Sequence, residues 1–129
     1  MAKMLWQKAS DVKKRIVFLV TSLKLNFVDL SRVYCYRSQG SKSRAYARMW
    51  GLPKIWQVTL KKKPSYILEV LSEHFDKLSE RQKDHVLIHE LSHIPANFSG
   101  ALTPHYRRGK RSFRKKVDSM IKSIFANKI

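Results

Sequence analysis

The chain is short of four things, and each shortage excludes a class of protein. One cysteine, Cys35, occurs in 129 residues. It cannot form an intramolecular disulfide, and it cannot build a cysteine zinc cluster. Four glycines and four prolines leave no room for a long flexible linker or a collagen-like repeat. No apolar stretch approaches the ~18 residues a transmembrane helix needs. The apolar run from Ile16 to Val20 follows Lys13, Lys14 and Arg15, but no small-residue cleavage pattern comes after it. A cytoplasmic protein without a membrane anchor is therefore expected. Acidic residues are the fourth shortage. Nine Asp and Glu face 27 Lys and Arg, for a net charge of +18.

That charge is unevenly spread. Residues 1–64 hold 15 basic and 2 acidic side chains, and residues 107–129 hold 9 basic and 1 acidic. Residues 65–106 hold 3 basic and 6 acidic. The middle is mildly acidic and the flanks are strongly basic. Polyanions are attracted to such flanks. Arg37, Lys42, Arg44 and Arg48 interleave with Tyr34, Tyr36 and Tyr46, and Arg107, Arg108, Lys110 and Arg111 form a second cluster. Cations neutralise phosphates and aromatics stack on unpaired bases, so these are candidate nucleic-acid contacts, non-specific and salt-sensitive. A highly charged, solvated surface explains them equally well.

The length suits one domain covering residues 1–129. Val12, Ile16, Leu19, Val20 and Leu23 recur at helical spacing behind the N-cap types Ser10 and Asp11, which predicts a helix over about 9–25. Val33 to Tyr36 reads as a strand. Residues 45–50 read as its hairpin partner across the polar turn 38–43. Trp56, Val58 and Leu60 alternate with polar residues as a strand would, and Tyr66 to Leu71 is a further strand. Ser79 and Gln82 have capping-box spacing, which starts a helix that should stop near His93 because Pro95 disfavours helix at Ile94. Phe113, Val117, Ile121, Ile124 and Phe125 mark a last amphipathic helix. The sum is an α+β domain: an N-terminal helix, a small twisted sheet, a central helix and a C-terminal helix.

The central helix carries the chemistry. His89-Glu90-Leu91-Ser92-His93 is an HExxH pattern. Residues four apart face the same side of a helix, so both imidazoles can reach one Zn²⁺. Glu90 adjoins the first ligand, where a carboxylate can take a proton from a zinc-activated water and return it to a leaving amine. The apolar neighbours Val86, Leu87, Ile88 and Leu91 bury this helix, and a buried His-Glu-His set without a metal or partners would be costly. A third ligand is needed. His85 stands about 12 Å along the axis from His93 at ~1.5 Å per residue, too far to share an ion. It reads as a surface or supporting residue, and His74 as structural. Glu90 is the last Glu. His105 follows a loop long enough to turn back, and Asp118 is the runner-up. Tyr106, Arg107 or Arg108 could stabilise the oxyanion. The strand at 66–71 could pair with an extended substrate along its edge.

The segments WGLPKIWQ (50–57), YILEVLSEHFDKL (66–78) and HVLIHELSHIPANFSGALTPH (85–105) resemble a metallopeptidase family found in phages and prokaryotes, which is similar to the SprT-like (Spartan-type) zincins. The resemblance covers about residues 30–125. It implies a minimal zincin fold, zinc ligands at His89, His93 and His105, and Glu90 as general base. It also implies a protein or peptide substrate. SprT-like proteins often carry a separate zinc ribbon, which one cysteine cannot build. Two functions therefore compete. One is a zinc metallopeptidase, acting for example on nucleic-acid-associated proteins. The other is a nucleic-acid-binding module whose zinc is structural or catalytically silent.

Overall fold

The computed structural model describes residues 3–104 together with residues 115, 118, 119, 121 and 122. Its elements are β1 (Leu5–Lys8), α1 (Ser10–Ser22), a 3-10 turn (Leu30–Arg32), β2 (Val33–Gln39), β3 (Ala47–Gly51), α2 (Lys54–Leu60), β4 (Tyr66–Leu71), α3 (Ser72–Phe75) and α4 (Glu80–Leu91). The four strands form one sheet in the order β1-β2-β4-β3. The fold is α+β, as the residue pattern implies. Among the described residues no helix is long and apolar enough to cross a membrane.

β4 owes its central place to its composition. Five of its six residues are buried, so both of its sides can be paired. β2 runs parallel to it, with Val33 opposite Tyr66 and Ser38 opposite Leu71. β3 runs antiparallel to it, with Ala47 opposite Val70 and Met49 opposite Leu68. β2 and β3 are therefore not a hairpin. The residues between them cross the end of β4 instead of turning tightly. This also removes the expected substrate edge at 66–71, because β4 has no open edge. The edges belong to β1 and β3.

Three further expectations change. Trp56, Val58 and Leu60 lie on α2, not on a strand. Pro53 sits at its N-cap, where a missing N–H costs nothing, and Lys61 ends it in the left-handed region. The alternation misled because these side chains face solvent, and only Gln57 of this helix is buried. β1 and α3 had no signal of their own. The strand β1 is exposed at all four positions and gains its shape from pairing with β2. Finally, α1 begins at Ser10 with Ala9 as its N-cap, and no side chain caps it.

One face of the sheet carries the core. Val33, Cys35, Ala47, Met49, Leu68 and Val70 meet Val12, Ile16, Leu19 and Val20 of α1 and Leu87, Ile88 and Leu91 of α4. Ile121, one of the helical residues near the C-terminus, joins this cluster. The capping box at the start of α4 is present: the Ser79 hydroxyl accepts from the Gln82 amide, and the Gln82 side chain accepts from the Ser79 amide. A two-pronged ion pair fixes α4 against α1. Arg15 Nε donates to Asp84 Oδ1 at 2.6 Å and Nη2 donates to Oδ2. The Asp84 side chain is 2% exposed and that of Arg15 is 30% exposed. Asp84 cannot rehydrate without α4 moving, so losing its cation is the costlier change. Arg15→Met should lower stability by about 3 kcal/mol in urea denaturation, more than Asp84→Leu, which removes the buried charge. Equal losses from the two substitutions would show that the buried carboxylate is not what the pair protects.

Candidate metal centre

α4 ends at Leu91, with Ser92 as its C-cap, so His93 stands just beyond the helix. A tightened turn holds it there: the His93 amide donates to the Glu90 carbonyl at 3.1 Å and the Ile94 amide to Leu91 at 3.1 Å. The helix stops close to the position that Pro95 predicts. His89, Glu90 and His93 each place one ligand atom within 4.8 Å of the others. The His89 and His93 rings lie 5.2 Å apart at 77°. Two half-buried imidazoles and a buried carboxylate at one point are a donor set that suits a borderline divalent cation such as zinc.

The orientation of His93 is fixed from outside the helix. Its Nδ1 lies 2.7 Å from the Thr103 carbonyl oxygen. A carbonyl only accepts, so Nδ1 carries the proton in this bond. The Thr103 amide returns a bond to the His93 carbonyl at 2.7 Å. Thus the loop after α4 does come back to the motif, two residues before His105. His105 itself lies outside the described residues, as do Tyr106, Arg107, Arg108, Lys110 and Arg111.

A second set of contacts, which no sequence motif marks, holds that loop. The Tyr66 hydroxyl accepts from the Gly100 amide at 2.8 Å and donates to the Ala101 carbonyl at 2.8 Å. Phe98 packs edge-on against the Tyr66 ring at 4.9 Å. The buried Gln57 amide donates to the carbonyls of Leu52 and Ser99. Gly100 adopts φ +94, and a Cβ there would meet the Leu52 oxygen at 2.4 Å. A Cβ on Gly51 would meet the Gly100 oxygen at 2.1 Å. Glycine is required at both positions because two backbones touch. The SGALTPH segment could have pointed to Gly100, but nothing in the sequence points to Gln57 or Tyr66 as its holders.

Glu90 is 9% exposed. Burial pushes its carboxyl up to about 7, against the opposing effect of a hydrogen bond from the Met49 backbone. A carboxyl poised near neutrality suits taking up and returning a proton. The bond from Met49 also ties Glu90 to β3. The Leu71 amide bonds to the Tyr46 carbonyl and the Leu52 amide to Ser65. By antiparallel alternation, Ala47, Met49 and Gly51 turn their amides to the open edge. Glu90 therefore stands beside the outer edge of β3.

The remaining candidates have other surroundings. His85 is exposed and faces Asp118 at 3.6 Å, so Asp118 pairs away from the His-Glu-His set. His74 is half-buried on α3. Cys35 is buried, and burial pushes its thiol up to about 11, which makes it inert as a nucleophile. Arg37 bridges Asp11 and Asp76, and its hydrogen bond lowers the Asp11 pKa. Arg48 is paired with the buried Glu69. Both arginines are thus partly committed to structure, whereas Lys42 and Arg44 are exposed on the loop between β2 and β3.

Tyr66→Phe keeps the ring and removes the hydroxyl, which leaves the Gly100 amide and Ala101 carbonyl unpaired. It should cost about 1–3 kcal/mol in thermal denaturation and weaken metal retention in a dialysis competition. Unchanged metal retention would mean that the loop does not position His93.

Comparison with known proteins adds one finding. A family model described as "Putative phage metallopeptidase" matches residues 4–121. No curated protein and no solved structure matches the chain.

Proposed function

We propose, from the premise that the chain belongs to the phage metallopeptidase family, that it is a zinc-dependent peptidase of the HExxH zincin type. The observation that carries this reading is the convergence of His89, Glu90 and His93, with His93 Nδ1 tied to the Thr103 carbonyl. His89 and His93 hold the cation. His105 is the third ligand, because the loop that leads to it has already returned to His93 at Thr103. These three residues would form the His₃ set common in catalytic zinc sites. The bound cation supplies Lewis acidity to a water and to the scissile carbonyl.

Glu90 accepts the proton of the attacking water and passes it to the leaving amine. Its burial between α4 and β3 keeps bulk water from competing for that proton. An extended peptide lies along the outer edge of β3, which brings its backbone beside Glu90. Tyr106 donates to the oxyanion. In chemistry this is the kind of peptidase that the SprT-like zincins are.

Glu90→Gln should keep one zinc per chain by atomic absorption and lower casein cleavage at least about 100-fold, since general-base catalysis contributes roughly 10²–10⁴-fold. Cleavage at the wild-type rate would overturn the role of Glu90. His105→Ala should lose zinc at a chelator concentration that the wild type withstands. Equal retention would remove His105 from the ligand set.

A further inference from the structure

The face of the sheet opposite α1 and α4 has a composition that the peptidase reading does not use. The strand register arranges it in rows. Tyr34, Ile67 and Trp50 lie side by side across β2, β4 and β3. Lys8, Tyr36, Glu69 and Arg48 form the next row, and Trp6 stands beyond it opposite Ser38. Trp6 is 58% exposed, and Tyr34 and Trp50 are each 50% exposed. These large apolar side chains face water although the sheet has a complete core on its other side. Trp6 and Trp50 border a shallow concavity of about 500 Å³, lined also by Tyr36, Arg48, Ile67 and Glu69.

The charge on this face has one sign. Its acid, Glu69, has a side chain 2% exposed, and it accepts from Arg48 at 3.0 and 3.2 Å and from the Trp50 indole at 2.8 Å. The carboxylate is thereby neutralised and hidden. Arg48 also lies 5.4 Å over the Trp50 ring and reaches Ser41 of the β2–β3 loop. That loop brings exposed Lys42 and Arg44 to the rim, and Lys3 and Lys8 flank Trp6. Glu73 is the acid near this rim, and it is bonded to the Gly40 amide.

We propose that this face is a stacking platform for single-stranded nucleic acid. Aromatic rings two residues apart on one strand stand about 6.6 Å apart at ~3.3 Å per residue, a spacing that successive unstacked bases can match. Exposed aromatics on a four-stranded sheet, ringed by cations, bind unpaired bases by stacking and backbone phosphates by charge. A duplex hides its base faces, so it meets only the cations. A purely apolar protein partner would leave the cations unmatched.

The platform is independent of zinc and of peptide hydrolysis, so it is tested in the 129-residue Glu90→Gln protein, where no cleavage interferes. Fluorescence anisotropy of labelled dT20 and of a 20-base-pair duplex at 50 and 200 mM salt is the measurement. The single strand should bind at least tenfold more tightly than the duplex at 50 mM salt, and both should weaken at 200 mM. Trp6→Ala and Tyr34→Ala alter exposed rings and leave the core alone. Each should weaken dT20 binding about fivefold or more, with duplex binding changed less than twofold. Lys42→Glu with Arg44→Glu should weaken both ligands. Absent dT20 binding, a preference for duplex, or dT20 binding unchanged by both ring substitutions would overturn the proposal. So would a wild-type dimer in gel filtration that Trp6→Ala dissociates without affecting dT20.

Discussion

The contact of Gly51 with Gly100 is the constraint on which the metal centre rests. Two backbones can approach this closely only where neither carries a Cβ, and Tyr66 and Gln57 lock the approach with hydrogen bonds to Leu52, Ser99, Gly100 and Ala101. The consequence is positional. A loop that could have pointed anywhere after α4 is laid back along the end of the sheet, and Thr103 then meets His93 from both of its backbone groups. One imidazole is oriented by a carbonyl that a strand and a short helix hold in place. The last turn of α4 brings His89, Glu90 and His93 together, and the rest of the domain fixes the ring of His93.

The sheet separates two kinds of work. Its inner face is apolar and close-packed, and it fixes α4 by burial and by the Arg15–Asp84 pair. Its outer face keeps large aromatic rings in water and hides its acid, Glu69, beneath Arg48 and Trp50. β3 belongs to both arrangements. Met49 sends its side chain to the core and an amide to Glu90, while Arg48 and Trp50 point the other way. Alternation along a strand makes this possible: adjacent residues serve opposite faces, and the open edge serves a third direction.

The charge of +18 divides in the same way. Arg15, Arg37 and Arg48 look in the sequence like part of a basic flank, yet each is matched to a carboxylate distant along the chain. Their partners Asp84, Asp76 and Glu69 come from the acidic middle segment, with Asp11 completing the Arg37 bridge. Charge segregation along the sequence is thus partly complementarity between the segments in the fold. Lys42 and Arg44 remain as exposed cations beside the aromatic face.

How much was legible follows from the range of each interaction. α1, the capping box of α4, the stop before Pro95 and the strand at 66–71 depend on neighbours a few residues away, so periodicity and cap chemistry revealed them. The pairing of His89, Glu90 and His93 was legible for the same reason, since four-apart residues stay close where a helix tightens into its last turn. The order β1-β2-β4-β3 was not, because a strand's sequence states which face is buried but not which strand lies beside it. The exposed strand β1 and the helix α2 take their conformation from pairing and from Pro53, against what their side chains suggest. Local chemistry in the sequence determined the His89-Glu90-His93 cluster. Only the tertiary structure decided which edge stands beside Glu90 and what orients His93, because those answers rest on contacts between residues that no local pattern connects.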